Sequence, residues 1–263
     1  MASAILMFYT SEGFLVAADG RARCEGIVLS DRVTKIFSIS EPRWSLAYAF
    51  GGTVVLTDKD DPGIILFDFR SEVLKAIESL RVCAHNDLAS YANDLSAQLF
   101  NRLVMAKKNE RMERFNEKHR YIAYLFFAGY FGDDPSWVTV EFLRDGQAPL
   151  YPTVNPMPLT KGYEPRVLYG SGIVAQHVFD MDDSEFAPYR VARVNVPDNV
   201  TLSEIENVAT KYISACADPE AMKIDPMVCA AIGGHIHMAK VTREKGFEWI
   251  ILPKSNSDLS VLV

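Results

Sequence analysis

The sequence predicts an α+β fold in one domain, and three observations carry that expectation. Short apolar runs separated by turn residues fill the first fifty positions, two stretches of helical periodicity follow, and apolar runs return after position 120. Blocks of strands and blocks of helices in this order favour antiparallel sheets with helices packed on them over a βαβ alternation. No repeat and no linker divides the chain, so residues 1–263 are expected to form a single domain.

Ala4 to Tyr9 and Phe14 to Asp19 are apolar runs separated by Ser11-Glu12-Gly13, which predicts a hairpin. Gly26 to Ser30 and Lys35 to Ile39 read as a second short pair turning at Asp31-Arg32. Trp44 to Phe50 reads as a strand stopped by Gly51-Gly52. A polar loop, Thr57 to Gly63, precedes Val73, Leu74, Ile77 and Leu80, which share a helical face with Arg70, Glu72, Lys75 and Glu78 opposite. A longer amphipathic helix begins after Asp87 as its N-cap, carries Leu88, Tyr91, Leu95, Leu99, Leu103 and Val104, and is expected to run on with charge toward Glu117.

Tyr121 to Tyr130 and Trp137 to Leu143 predict a hairpin around Gly132-Asp133-Asp134-Pro135. Five prolines between Pro149 and Pro165 predict an irregular segment, because proline removes ladder donors. Val167-Leu168-Tyr169 leads into Gly170-Ser171-Gly172. A helix is predicted over Ser203 to Cys216, capped by Thr201 or Ser203, and Gly234 to Val241 with Phe247 to Leu252 form a closing hairpin around Arg243-Glu244-Lys245-Gly246.

With 49% hydrophobic and 23% charged residues, the composition is that of a soluble globular protein. A net charge of -7 argues against a nucleic-acid partner, since phosphate binding needs local positive excess. The basic stretch Ala106 to Arg114 is interleaved with Glu110 and Glu113 and reads as a solvated helical face. Cys24, Cys83, Cys216 and Cys229 are scattered without metal-ligand spacing, which fits free thiols in a reducing compartment. The N-terminus lacks the basic start of a signal peptide, and no run of about eighteen apolar residues occurs, so no membrane partner and a cytoplasmic location are expected.

Asp19 puts a charge at the end of a buried strand, with Ser3 and Lys35 each sixteen residues away along the chain. A serine hydroxyl needs a base to become a nucleophile. If the chain began at Ser3, its own α-amine, with an ordinary pKa of about 7.7–8.0, would suit that role. Lys35 beside it would favour deprotonation, and Asp19 would hold Lys35 in place.

The stretch GFLVAADGRAR, followed by SDRVTKIFSI and LAYAFGG, resembles the first half of a proteasome β-type subunit, a member of the N-terminal nucleophile (Ntn) hydrolases. LFFAGYFGDDPSWVTVEF is similar to that family's central hairpin, RVLYGSGIVA to its glycine-flanked serine before a helix, and GGHIHMAKVTREKGFEWI to its closing hairpin. The resemblance implies a four-layer α-β-β-α sandwich of two antiparallel sheets. It places the nucleophile, threonine in the family, on Ser3, the lysine on Lys35 with Asp19 beside it, the oxyanion glycine on Gly51, and a supporting serine on Ser171. An oxyanion donor of this kind is typically worth on the order of 3 kcal/mol. It implies an apolar substrate pocket of Ala22, Val33, Phe37 and Ala49. It further implies hydrolysis of a peptide or other amide substrate without a cofactor, and a homo-oligomer of the ring-forming kind, for which an apolar tail, Leu259 to Val263, gives a second argument.

The sequence departs from the family pattern in two places. Ser3 becomes an N-terminus only if Met1-Ala2 is removed, and Cys229 stands where the family has a supporting aspartate, with Ile232 in place of a serine and Asp225 nearby but out of register. Three readings therefore stay open: a peptidase or amidase acting through Ser3, a non-catalytic relative with a structural or assembly role, and a small-molecule amidase. His235 and His237 share one face of a strand, yet no third ligand stands at useful spacing, so an ordinary strand pair is favoured and no metal is expected. Asp180 to Asp183 matches no complete calcium loop and reads as a solvated turn.

Overall fold

A turn at Ser11-Glu12 joins the first two strands, as the apolar spacing predicts, and Gly13 opens the second. A computed structural model of the chain describes residues 3–24, 27–41, 43–53, 55–61, 63–115, 120–159, 166–179, 186–191 and 200–254. Met1-Ala2, Gly26, Glu117, part of the proline-rich segment, the acidic run Asp180 to Asp183 and the tail Leu259 to Val263 lie outside the described residues, as do the side chains of Cys24 and of residues 166–169.

In chain order the strands are β1 (Ile5–Thr10), β2 (Gly13–Asp19), β3 (Ala22–Cys24), β4 (Ile27–Ser30), β5 (Ile36–Glu41), β6 (Trp44–Gly52), β7 (Val55–Thr57), β8 (Ile65–Asp68), β9 (Tyr121–Phe131), β10 (Asp134–Asp145), β11 (Ala148–Pro149), β12 (Thr153–Pro156), β13 (Arg166–Tyr169), β14 (Ile236–Thr242) and β15 (Gly246–Ile251). The helices are α1 (Phe69–Leu80), α2 (Leu88–Ala106), α3 (Gly172–Phe179), α4 (Leu202–Cys216), α5 (Pro219–Ile224) and α6 (Pro226–Cys229). One sheet has the strand order β13-β1-β2-β14-β15. A second has the order β11-β10-β9-β6-β5 with β12 on β10, and β3-β4 and β7-β8 form two-stranded ribbons. The result is a mixed α/β fold with several antiparallel sheets.

Contacts divide the described chain into two units. The first holds residues up to Ala49, Phe127–Ser136, and the chain from Pro158 onward to Lys254. Its five-stranded sheet is antiparallel at every pairing, with β2 between β1 and β14. Nearly every position of β1 and β2 is buried, because α4 packs against β2 on one face and β5 packs against β2, β14 and β15. A strand covered on both faces reads as an unbroken apolar run rather than an alternation. Leu6, Phe8, Leu15 and Ala17 meet Ile205, Ala209, Tyr212 and Ile213 in the core beneath α4. Thr201 caps α4 in a capping box with Glu204, and Glu12 in the first turn accepts the Leu202 N–H at 2.7 Å.

The expected pairing of residues 26–30 with 35–39 is not formed. β4 pairs with β3 (Ala22↔Ser30, Arg23↔Val28), and β5 pairs with β6 (Ile36↔Ala49 to Glu41↔Trp44). The intervening residues are claimed elsewhere: Val33 N–H donates to Gly20 O at 2.8 Å, and Asp31 O accepts the His235 N–H at 3.0 Å. A segment whose backbone groups are already spent cannot also turn back on itself.

The second unit holds Phe50–Phe126 and Trp137–Met157. α1, capped by Asp68, packs on α2, which Asp87 and Ser90 cap reciprocally. α2 stops at Ala106, and the basic stretch beyond it is not helical. There Lys107 donates to Glu113 O at 2.9 Å and sits 4.2 Å from the Phe115 ring centre, while Arg111 lies 2.7 Å from buried Asp58. These side chains hold the chain in a turn with Met112 buried. The proline-rich segment also carries more order than expected, since β12 pairs along β10 from Val138↔Pro156 to Glu141↔Thr153. Pro156 sits at its end, and among the described residues β12 pairs with β10 alone, positions where a missing donor costs little.

Candidate functional site

The last residue of β2, Asp19, is fully buried and accepts four hydrogen bonds. Oδ1 takes the Ala4 N–H at 2.8 Å and the Lys35 ammonium at 2.7 Å. Oδ2 takes the Arg21 N–H and the Gly233 N–H, each at 3.1 Å. All four neighbours are donors, which suits a carboxylate with about four acceptor sites and no proton to give. Ser3 lies just ahead of β1, 6% exposed, and its successor Ala4 is bonded to the same oxygen as Lys35. The structure thus gathers the expected Asp19–Lys35 pair and the start of β1 around one carboxylate.

Lys35 is itself 7% exposed, and burial holds its amine below the usual lysine range against the opposing pull of Asp19. Its backbone N–H donates to Nε2 of His237 at 2.9 Å. His237 is fully buried on β14, and burial, with His235 and Lys35 adding to it, pushes its pKa down to about 3. The ring is stacked on His235, with centres 5.1 Å apart. His235 in turn accepts the Lys254 N–H on Nε2 and meets Asp31 O through Nδ1, each at 3.0 Å. Both Nε2 atoms are therefore occupied by backbone donors, with His237 on β14 and His235 just ahead of that strand rather than in it. Among the described residues no group of three or more His, Cys, Asp or Glu is placed to hold a metal ion.

The glycine pair ahead of β14 is explained by close approach. A Cβ on Gly233 (φ 148°) would lie 2.7 Å from the Arg21 guanidinium carbon, and one on Gly234 (φ 74°) would lie 2.5 Å from Asp31 O. Arg21 is held there by Asp31 at 2.7 Å and by Ile232 O at 3.2 Å.

Ser171 caps α3, accepting the Val174 N–H at 3.1 Å, and donates to Asp225 Oδ2 at 2.6 Å. The acid at Ser171 is therefore Asp225, which position counting put out of register. Asp225 closes α5 through its N–H to Ala221 O and caps α6 through Oδ1 to the Val228 N–H. Cys229, at the end of α6, packs its thiol against Cys216 and Ser171. The Cys216 contact draws the Cys229 pKa down, while burial pushes Cys216 up.

Of the expected pocket residues, Val33 and Ala49 are buried, and Ala22 and Phe37 are half-buried. The β5–β6 register sets Ala49 opposite Ile36 and Tyr48 opposite Phe37. Adjacent strand residues point to opposite faces, so Ala49 and Phe37 do not share a wall, and the residue stacked on Phe37, at 5.1 Å, is Tyr48. Gly51 is buried near the end of β6 and counts with the second unit. Sequence reasoning missed Gly233, His237 and Asp225 as partners; the glycine pair, and a histidine alternating with apolar residues on a buried strand, were the available signals.

No family model matches the chain, and no curated protein matches it. Among solved structures the chain is similar to the Gly-1 mutant of Anbu from Hyphomicrobium sp. strain MC1, a proteasome-like protein of the Ntn type. The likeness covers 99% of this chain and 91% of that one, at a TM-score of 0.53 and 11% identity. At that identity the likeness speaks for the fold.

Proposed function

We propose that the chain is a proteasome-like Ntn hydrolase, built as a four-layer α-β-β-α sandwich and cleaving peptide or other amide bonds through Ser3 once Met1-Ala2 has been removed. The observation that carries this reading is the shared oxygen: Asp19 Oδ1 binds both the Lys35 ammonium and the N–H of the residue after Ser3. That arrangement sets the start of β1 and the lysine side by side. A freed Ser3 α-amine would accept the hydroxyl proton, directly or through one water, as the oxygen attacks the carbonyl carbon, and return it to the leaving amine. The Lys35 ammonium, its charge supported by Asp19 against the opposing effect of burial, favours the deprotonated hydroxyl.

Intact-mass measurement tests the reading. The expected result is a wild-type chain that begins at Ser3 and a Lys35→Ala chain that still carries Ala2. Ala2 retained in every wild-type preparation overturns it.

One observation favours a second reading, a non-catalytic relative with a structural or assembly role: Ser3 is nearly closed off from solvent. In that case Asp19 and Lys35 are a buried clamp and the mass stays unprocessed. Either reading is compatible with a cytoplasmic homo-oligomer of the ring-forming kind. Ile27, Val28 and Leu29, exposed together on β4, are apolar surface that a partner copy would cover. Light scattering that shows a single 29.4 kDa species would rule out self-assembly.

A further inference from the structure

We infer that His237 is a positioning residue for Lys35, its Nε2 fixing the backbone from which the lysine side chain returns to Asp19. This inference rests on the reading of Lys35 as part of the site.

The geometry gives His237 one task. Lys35 stands immediately before β5, and its N–H is not used by the β5–β6 ladder, which begins at Ile36↔Ala49. That N–H instead meets Nε2 of a fully buried imidazole on β14, at 2.9 Å. An acceptor at Nε2 fixes the proton on Nδ1. Nδ1 has no hydrogen-bond partner among the described residues. A buried N–H left unmatched is a cost that an aliphatic side chain of similar size would avoid. The imidazole leaves Nδ1 unmatched where an aliphatic side chain would not, and the bond to Lys35 is what it provides in return. His235, stacked on it and tied to Lys254 and Asp31, holds the ring plane. His237 consequently sets where the Lys35 chain leaves the backbone, and Asp19 sets where it ends.

The two ends make a testable distinction between side chains. His237→Gln keeps an acceptor where Nε2 stands, and His237→Leu keeps only bulk. In the full-length labelled protein, long-range 1H–15N spectra report the His237 tautomer. The Lys35 side-chain resonance, assigned by its loss in Lys35→Arg, reports the lysine's titration midpoint against the groups that face it: Asp19, Arg21 and His237. The expected result is an Nδ1–H tautomer in the wild type, a wild-type midpoint in the Gln variant and a shifted midpoint in the Leu variant. An Nε2–H tautomer overturns the inference, as does an unshifted Leu variant. If the Leu variant does not fold, the tautomer and the Gln variant decide, and a shifted midpoint in Gln overturns it. None of these readouts needs turnover. A chain that keeps Ala2 would sink the hydrolase reading while an Nδ1–H tautomer still supported the strut.

Discussion

Lys35 places its ammonium 2.7 Å from Oδ1 of Asp19, on an oxygen that already accepts the Ala4 N–H. Asp19→Asn changes one oxygen into an NH2 group, and either orientation turns that group toward two donors. Lys35→Met leaves a carboxylate that still has three backbone N–H partners. Breaking a buried pair from one side costs about 3–5 kcal/mol. Asp19→Asn is expected in that range and Lys35→Met below it, measured by urea unfolding, and the reverse order would contradict the four-donor arrangement.

Ser171 has two jobs at one oxygen, capping α3 and donating to Asp225. Ser171→Ala is expected to lower stability by about 0.5–2 kcal/mol, the usual range for a lost cap. Asp225→Ala removes the acceptor from Ser171 and the cap from α6 together, so its loss in a thermal melt should exceed that of Ser171→Ala.

Gly233 has φ 148° and the Arg21 guanidinium in the space a side chain would fill. Gly233→Ala is expected to cost about 1–3 kcal/mol from backbone strain, with displacement of Arg21 added. Adding Arg21→Ala relieves the crowding and not the strain, so chemical denaturation of the double variant should show part of the loss remaining on top of Arg21→Ala alone.

His237 gives a signed pH prediction. Its folded pKa of about 3 lies below the ordinary 6.5, so the unfolded chain takes up a proton that the folded chain refuses. The contribution is full above pH 6.5 and is lost as pH falls toward 3, by at most about 1.4 kcal/mol per pH unit from this residue. His235 and Lys35 face the same ring and oppose its charge. Urea unfolding at pH 7 and pH 5 should show the wild type losing more stability on acidification than His237→Gln, and equal losses would refute the assignment.

What could be read from the sequence was whatever the chain states locally. The Ser11-Glu12 turn, the Asp87 cap and the closing hairpin follow from turn chemistry and periodicity within a few residues. The Asp19–Lys35 pair was legible because a charge at the end of a buried strand demands a partner. The Gly233 N–H was not, because it lies 214 residues away and only folding brings it to Oδ2. The pairing of β4 was missed because Asp31 and Val33 have partners in β14's approach and in Gly20, which no local pattern reveals. Counting positions back from the glycine pair put Cys229 in the acid's place. Two short helices meeting at Asp225 take the chain out of the straight register that such counting assumes.

The four donors on Asp19 come from positions 4, 21, 35 and 233, nearly the two ends of the chain. A chain emerging from the ribosome cannot complete this clasp until Gly233 has been made. Until then the buried carboxylate lacks a ligand and β2 lacks its neighbour β14. The lysine and the start of β1 therefore come under the full four-donor restraint only once Gly233 and β14 have been made, and a chain truncated before them carries the same residues without that restraint.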